Sequence, residues 1–385
     1  MMKTWYFLLI LSFFLTGCRE THESQKEATE EIRKTWTPQY ARGFTAAYTA
    51  DGVVYLTIKN PWPDAKRDFR YALVPREKLS EFTPGEEDLD GVVATPVERI
   101  VLTSTTHVPA LETLGMEDRL VGFPGRDYIS SPKTRRRIET GAVRELGANE
   151  QLNTERVLSL DPDLIVGFGV SGVPSSYRTL EASGVPVVYN GDWMEEAPLG
   201  KAEWILFFGF LLGEEKAAQT AFETVERAYL EAKALAAHAT ETPTVLSGAL
   251  YRDVWYLPGG DSWAAGFIRD ANARYLWADT PGNGSLSLSL ESVLEKGAAA
   301  DFWIAPSQFT SYTEMSRSNQ HYGQFRAFRN KNIYTYALTK GAGGGMLYYE
   351  RGPGRPDLIL KDLIYWLHPG LLPGYTPVFF KPLLP

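Results

Sequence analysis

The chain of 385 residues is 44% apolar and carries 39 basic against 47 acidic side chains, for a net charge of −8. That length accommodates two or three domains, each with its own core. The acidic balance speaks against a nucleic-acid partner, since the one basic block, Arg135-Arg136-Arg137, reads as a solvated helix face. Cys18 is the only cysteine, so no disulfide framework exists.

In chain order, Lys3 precedes an apolar run over 5–15 that ends in Leu15-Thr16-Gly17-Cys18. The run is too short to span a bilayer and reads as a secretory signal over 1–17. With cysteine directly after small residues it resembles the bacterial lipobox, which implies lipidation of Cys18 as the new N-terminus. Residues 18–35 are polar and charged and read as a disordered tether. Over 36–97 the pattern is β: runs at 44–50 and 53–59 flank Asp51-Gly52, a hairpin signal, and 68–74 offers a third strand. This extension carries no evident chemistry and is expected to form a structural layer on the first lobe.

From 98 to 197 strands alternate with helices. Strands are expected at 99–104, 120–123, 163–168 and 185–190, with helices at 109–114, 154–160 and 175–183. The alternation predicts a parallel sheet covered by helices. An apolar helix at 199–212 follows, and then a Pro- and Gly-free stretch over 214–238 with apolar residues at Ala218, Ala221, Phe222, Val225, Tyr229, Ala232 and Leu235. Three-and-four spacing makes it one amphipathic helix about 35–40 Å long. Together 198–242 form the connection. The α/β pattern restarts over 243–368, with strands at 244–249, 254–257, 301–305 and 333–336 and helices at 262–273, 289–296 and 355–367. A Pro-rich tail, 369–385, is expected to trail off. The fold class is therefore α/β: two parallel-sheet lobes joined by one long helix, with an N-terminal β extension.

The lobes echo each other. Glu155-Arg-Val-Leu leads to Asp163-Leu-Ile-Val, and Glu291-Ser-Val-Leu leads to Asp301-Phe-Trp-Ile. Each is a capped helix with Glu in its first turn, followed by Asp at the opening of a strand. The pairing predicts a pseudo-twofold molecule.

The lipobox, two α/β lobes, the connecting helix and the echoed Glu units together resemble the class III substrate-binding lipoproteins of ABC importers. The resemblance spans about 98–368. Its sharpest stretch is Asn153-Thr-Glu-Arg-Val-Leu-Ser-Leu-Asp-Pro-Asp-Leu-Ile-Val, beside Arg99-Ile-Val-Leu-Thr-Ser and the Arg355-Pro-Asp helix start. It implies a non-enzymatic monomer, held to the cell envelope by lipid, that captures a metal chelate (ferric siderophore, cobalamin or other corrinoid, or haem) and hands it to a membrane permease. It also implies docking on permease arginines through Glu155 and Glu291. The protein needs no cofactor of its own on this reading.

The ligand is expected between the lobes, at the C-terminal ends of the strands. Loops there carry Thr105, His107, Arg126, Tyr128 and Phe168 in the first lobe, and Trp263, Phe309, Tyr312, Tyr348, Tyr349 and Arg351 in the second. Aromatic faces with a few cations suit a large ringed chelate. His107 stands alone and reads more as a hydrogen-bonded loop residue than as an axial ligand. None of the five histidines pairs at metal-ligand spacing, which speaks against a free-metal site. Gly341-Ala-Gly-Gly-Gly345 lacks the Gly-Lys-Ser/Thr of a phosphate loop and reads as a cleft-lining loop allowing close backbone approach. A competing class, an exported lipid-anchored hydrolase, lacks Gly-x-Ser-x-Gly. A ligand-free sensor or assembly protein would have a cleft without aromatic lining.

Overall fold

The computed structural model describes residues 32–85, 88–170 and 172–385. The signal, Cys18 and the tether as far as residue 31 lie outside the described residues. The chain first forms a five-stranded sheet in the order Ile32–Trp36, Phe44–Thr49, Val54–Ile58, Phe69–Pro75, Gly91–Thr95. Only the last pair is parallel. The first strand takes in the end of the expected tether, because the alternation that starts at Phe44 offers Ile32–Trp36 a free edge to pair with. One face, with Phe44, Leu56, Tyr71 and Leu73, merges into the core of the first lobe; a small cluster of Val53, Tyr55, Ala72 and Val74 covers the other. The extension and the first lobe thus share one core.

The first lobe's sheet has the order Val187–Tyr189, Leu164–Gly167, Ile100–Leu102, Leu120–Phe123, Arg144–Glu145, all parallel. Its strand order reverses between Ile100–Leu102 and Leu164–Gly167. The second lobe repeats the plan with Arg274–Tyr275, Thr244–Ser247, Phe302–Ile304 and Ile333–Thr335, parallel, closed by an antiparallel Lys381–Pro382. A three-stranded antiparallel insert, Ala249–Tyr251, Val254–Pro258 and Ser285–Leu288, lies beside it. The tail therefore does not trail off. Phe379 and Phe380 are buried in the second core, and the tail's strand completes the sheet.

The expected helix at 199–212 is two, Pro198–Glu203 and Ile205–Leu212, broken at Trp204. The Trp204 indole donates to Glu195 at 2.9 Å and packs against Phe44, 4.6 Å between ring centroids, so the break anchors the extension. The connecting helix is Glu215–Ala236, about 33 Å long at 1.5 Å per residue. Its buried stripe of Ala218, Phe222, Tyr229, Ala232 and Ala236 packs first on Ile205–Leu212 and then on Pro356–Leu367.

The echoed Asp residues do the same work. Asp163 accepts from the backbone N–H of Glu98 (2.7 Å) and Arg99 (3.0 Å) and pairs with Arg76 at 2.9 Å. Asp301 accepts from the N–H and hydroxyl of Thr244 (2.8 and 2.6 Å) and pairs with Arg326 at 2.6 Å. Each ties the start of its lobe's first strand to the strand that follows the Glu helix. Burial alone would raise both carboxyls, but the donors outweigh it and hold them below the usual 3.8. Their stabilisation is therefore present above pH 3.8 and lost as pH falls through the depressed folded value. Asp163→Asn is expected to cost about 1–2 kcal/mol at neutral pH, with the gap to the parent closing in denaturation curves taken below pH 3.8. A gap that persists in acid would contradict this account.

Candidate functional site

Open α/β sheets bind ligands outside the strand C-termini where strand order reverses. In the first lobe that point is the chain leaving Leu102 and Gly167, and a cavity of about 340 Å³ opens there against the second lobe. The first lobe contributes Thr103, Ser104, Thr105, Phe123, Pro124, Tyr128 and Phe168; the second contributes Gly345, Met346, Tyr349 and Glu350. Of the eleven ligand candidates read from the sequence, Thr105, Tyr128, Phe168 and Tyr349 meet in this cleft. Tyr128 is 65% exposed and Tyr349 49%, so each ring presents an open face from its own lobe.

Tyr348 lies one layer behind. Its ring stacks on Tyr336 at 4.6 Å with planes 9° apart, and Trp263 closes on it at 5.6 Å. Tyr336 in turn shares a 2.7 Å hydroxyl contact with Tyr349, so this buried layer fixes the exposed phenol. Burial holds the Tyr336 and Tyr348 hydroxyls protonated, far above the ordinary tyrosine value.

The remaining candidates sit elsewhere. Arg126 donates to the Val143 carbonyl at 2.9 Å and lies 3.8 Å from Glu145, which ties it down within its own lobe. Phe309 packs on Tyr322 and Tyr312 on Phe328, both inside the second lobe. Arg351 lines a second, larger cavity adjoining the cleft. His107 is 1% exposed, against Phe208, and neither ring nitrogen has a hydrogen-bond partner. Burial pushes its pKa below the ordinary value. It is a core residue and not the hydrogen-bonded loop residue expected, because the following helix, Val108–Thr113, turns it inward.

Met346 and Glu350 line the cleft without having been singled out from the sequence. Glu350 stands between two named candidates, and its burial depends on contacts with the other lobe, which no local pattern reveals. Among the described residues no group of three His, Cys, Asp or Glu side chains is placed to hold a metal ion, and no helix is long and apolar enough to cross a membrane.

Glu155 and Glu291 occupy matching places. Each follows an antiparallel strand, Gln151–Leu152 or Ser285–Leu288, and opens a helix whose cap is Asn153 or Ser289. Asn153 accepts from Arg156 N–H at 2.9 Å and Ser289 from Ser292 N–H at 3.2 Å, so the caps leave both carboxylates exposed. The Glu291 carboxyl is held below its ordinary value by its own backbone N–H and by Ser289, with His321 adding to it.

Two parallel-sheet lobes on a single spanning helix, with a crevice between them at a topological switch point, define a two-lobed binding protein. Residues 100–337 match the family described as periplasmic binding protein, and the chain belongs to it. Members of this family bind ligands for ABC importers and are not enzymes, and membership implies export. An uncharacterized lipoprotein of Methanocaldococcus jannaschii is 24% identical over 299 residues, 75% of this chain and 69% of its own. Among solved structures, a periplasmic heme-binding protein of Pseudomonas aeruginosa aligns with a TM-score of 0.56 at 22% identity, covering 73% of this chain and 96% of its own. A periplasmic vitamin B12-binding protein of Vibrio cholerae aligns with a TM-score of 0.52 at 16% identity, covering 71% and 97%. Both are matched almost whole, which leaves more than a quarter of this chain without a counterpart in them.

Proposed function

We propose that this protein captures a flat, tetrapyrrole-type metal chelate, haem or a corrinoid, in the cleft between its lobes and delivers it to an ABC permease. The observation that carries the choice of ligand is the lining of the cleft. It offers aromatic faces, hydroxyls and the Met346 thioether, and neither Arg126 nor Arg351 is part of it. Two arginines facing the cleft would have suited an anionic siderophore; rings from opposite lobes suit a macrocycle held by stacking. The heme and B12 ligands of the two structural neighbours agree with that class. Lipidation at Cys18 would hold the protein, as a monomer, at the membrane face where the permease lies, and the relative named a lipoprotein supports that reading.

Fluorescence titration of the full-length protein with haemin, cyanocobalamin and a panel of ferric siderophores tests the ligand. Saturable quenching by one of the tetrapyrroles is expected. Tyr349→Ala should weaken binding about tenfold, the loss of one aromatic face. Tight binding of a ferric tricatecholate with no response to either tetrapyrrole would overturn the reading.

A further inference from the structure

Adjoining the cleft is a second, partly open space of about 650 Å³, bounded by Phe222 and Val225 of the connecting helix, by Phe208 of the helix before it and by Ala110 of the first lobe. Glu350 lines both spaces. It belongs to the second lobe, is 2% exposed, and accepts from backbone N–H groups of the first: Ser130 at 2.8 Å and Ser131 at 3.3 Å. Ser131 also donates through its hydroxyl to Glu112. Burial raises the Glu350 carboxyl above its ordinary value.

Beside it, the 341–345 loop lies backbone to backbone on the other lobe. A Cβ on Gly343 would stand 1.6 Å from the Asp127 carbonyl oxygen, and one on Gly345 would stand 2.4 Å from that of Tyr128. Only glycine permits such an approach. The glycines expected to let a ligand near the backbone instead let the two lobes touch. Burying a carboxylate is unfavourable unless donors replace its water, and here the backbone donors exist only while the lobes are together.

We propose that Glu350 and the 341–345 loop form a clasp that holds the two lobes together, and that the clasp must release before cargo enters. This rests on the cleft being the ligand site. The outer space alone is at the small end of the roughly 300–1,000 Å³ that ligand sites occupy. Release would join it to the adjoining space along the connecting helix.

Gly343→Ala breaks the clasp without touching the lining of the cleft. Amide hydrogen exchange of the empty protein should show Ser130 and Ser131 protected in the parent and exposed in the variant. Stopped-flow binding of haemin and cyanocobalamin should show the association rate raised about tenfold or more, with dissociation changed less, as the competent fraction grows. Gly323→Ala, where a Cβ meets nothing within 4 Å, should change neither. Should Gly343→Ala fail to fold, Glu350→Gln gives both readouts from the other half of the clasp. Fast exchange at Ser130 and Ser131 in the empty parent overturns the proposal, as does unchanged protection in both variants. If neither chelate binds, the ligand reading fails, while the exchange result still decides the clasp.

Discussion

Replacing Asp362 by alanine is expected to lower the unfolding free energy by about 3–4 kcal/mol and to open the C-terminal tail to protease. Asp362 is fully buried and accepts from three successive backbone N–H groups, Val378 (2.9 Å), Phe379 (2.6 Å) and Phe380 (2.8 Å), and from the Tyr375 hydroxyl at 2.6 Å. Without it, the donors either stay buried and unpaired, at about 1–3 kcal/mol each, or the tail lets go. Letting go exposes Phe379 and Phe380, each worth about 1.5–3 kcal/mol of burial. The cheaper route sets the loss, and it is the one that frees the chain. Asp362→Asn keeps one acceptor oxygen and should lose about half as much.

The pH dependence has the opposite sign to that of Asp163. Burial raises the Asp362 carboxyl, outweighing the donors that lower it. Its contribution is fully present below 3.8 and diminishes as pH rises through the folded value. Acid should therefore weaken the Asp163 tie while leaving the tail in place. Urea denaturation with limited proteolysis at two pH values measures both. A variant as stable and as protease-resistant as the parent would show that the tail is held by its aromatic packing alone.

Asp362 is one case of a device used throughout the molecule. Glu203, 2% exposed, accepts from Gln39, Tyr40 and Ala41 N–H groups at 2.7, 2.7 and 2.8 Å, and Glu195 takes those of Arg42 and Gly43. Glu145 does so for Gly125, Arg126 and Gly147. In each case a carboxylate gathers several N–H groups that no helix or sheet satisfies, so an irregular segment can be buried. Glu203 and Glu195 hold the loop on which the extension turns, and the Tyr40 hydroxyl adds a 2.6 Å bond to Glu226 on the connecting helix. The extra sheet is thereby tied to the helix that joins the lobes.

This device also explains what the sequence did and did not reveal. Strands such as Leu120–Phe123 and the connecting helix are written in local periodicity, so their positions were legible. So was the matching of Asp163 with Asp301, because it rests on a repeated capped-helix pattern. The tail's place is not legible because Pro-rich residues lack periodicity, and what fixes them is the buried carboxylate of Asp362 on the preceding helix, which no local pattern announces. The same holds at the cleft. Tyr128, Phe168 and Tyr349 follow strand ends or a glycine loop and could be placed there; Arg126 could not be excluded until Glu145 and the Val143 carbonyl were seen to occupy it. His107 closes the short turn Thr105–His107 with its ring buried against Phe208, a contact from a distant helix that separates core from cleft.

Charge reversal at both tips, Glu155→Lys with Glu291→Lys, is expected to abolish transport while ligand affinity stays within about twofold of the parent. Both carboxylates are exposed, so neither substitution opens a core. The cost to the fold is only the loss of a favourable charge in each first helical turn. If both glutamates dock, the effect on docking is larger: with one contact made, the second is effectively intramolecular, and losing both removes the gain from linkage as well as the two contacts. Each single reversal should therefore slow uptake, and the double reversal should stop it, since lysine would repel the cationic permease surface that the docking role of these glutamates requires. The measurement is uptake of the chelate by cells carrying each variant, beside a titration of the purified protein. Uptake by the double variant at the parent rate would remove the docking role from these two glutamates and leave each with only the N-terminus of its own helix to serve.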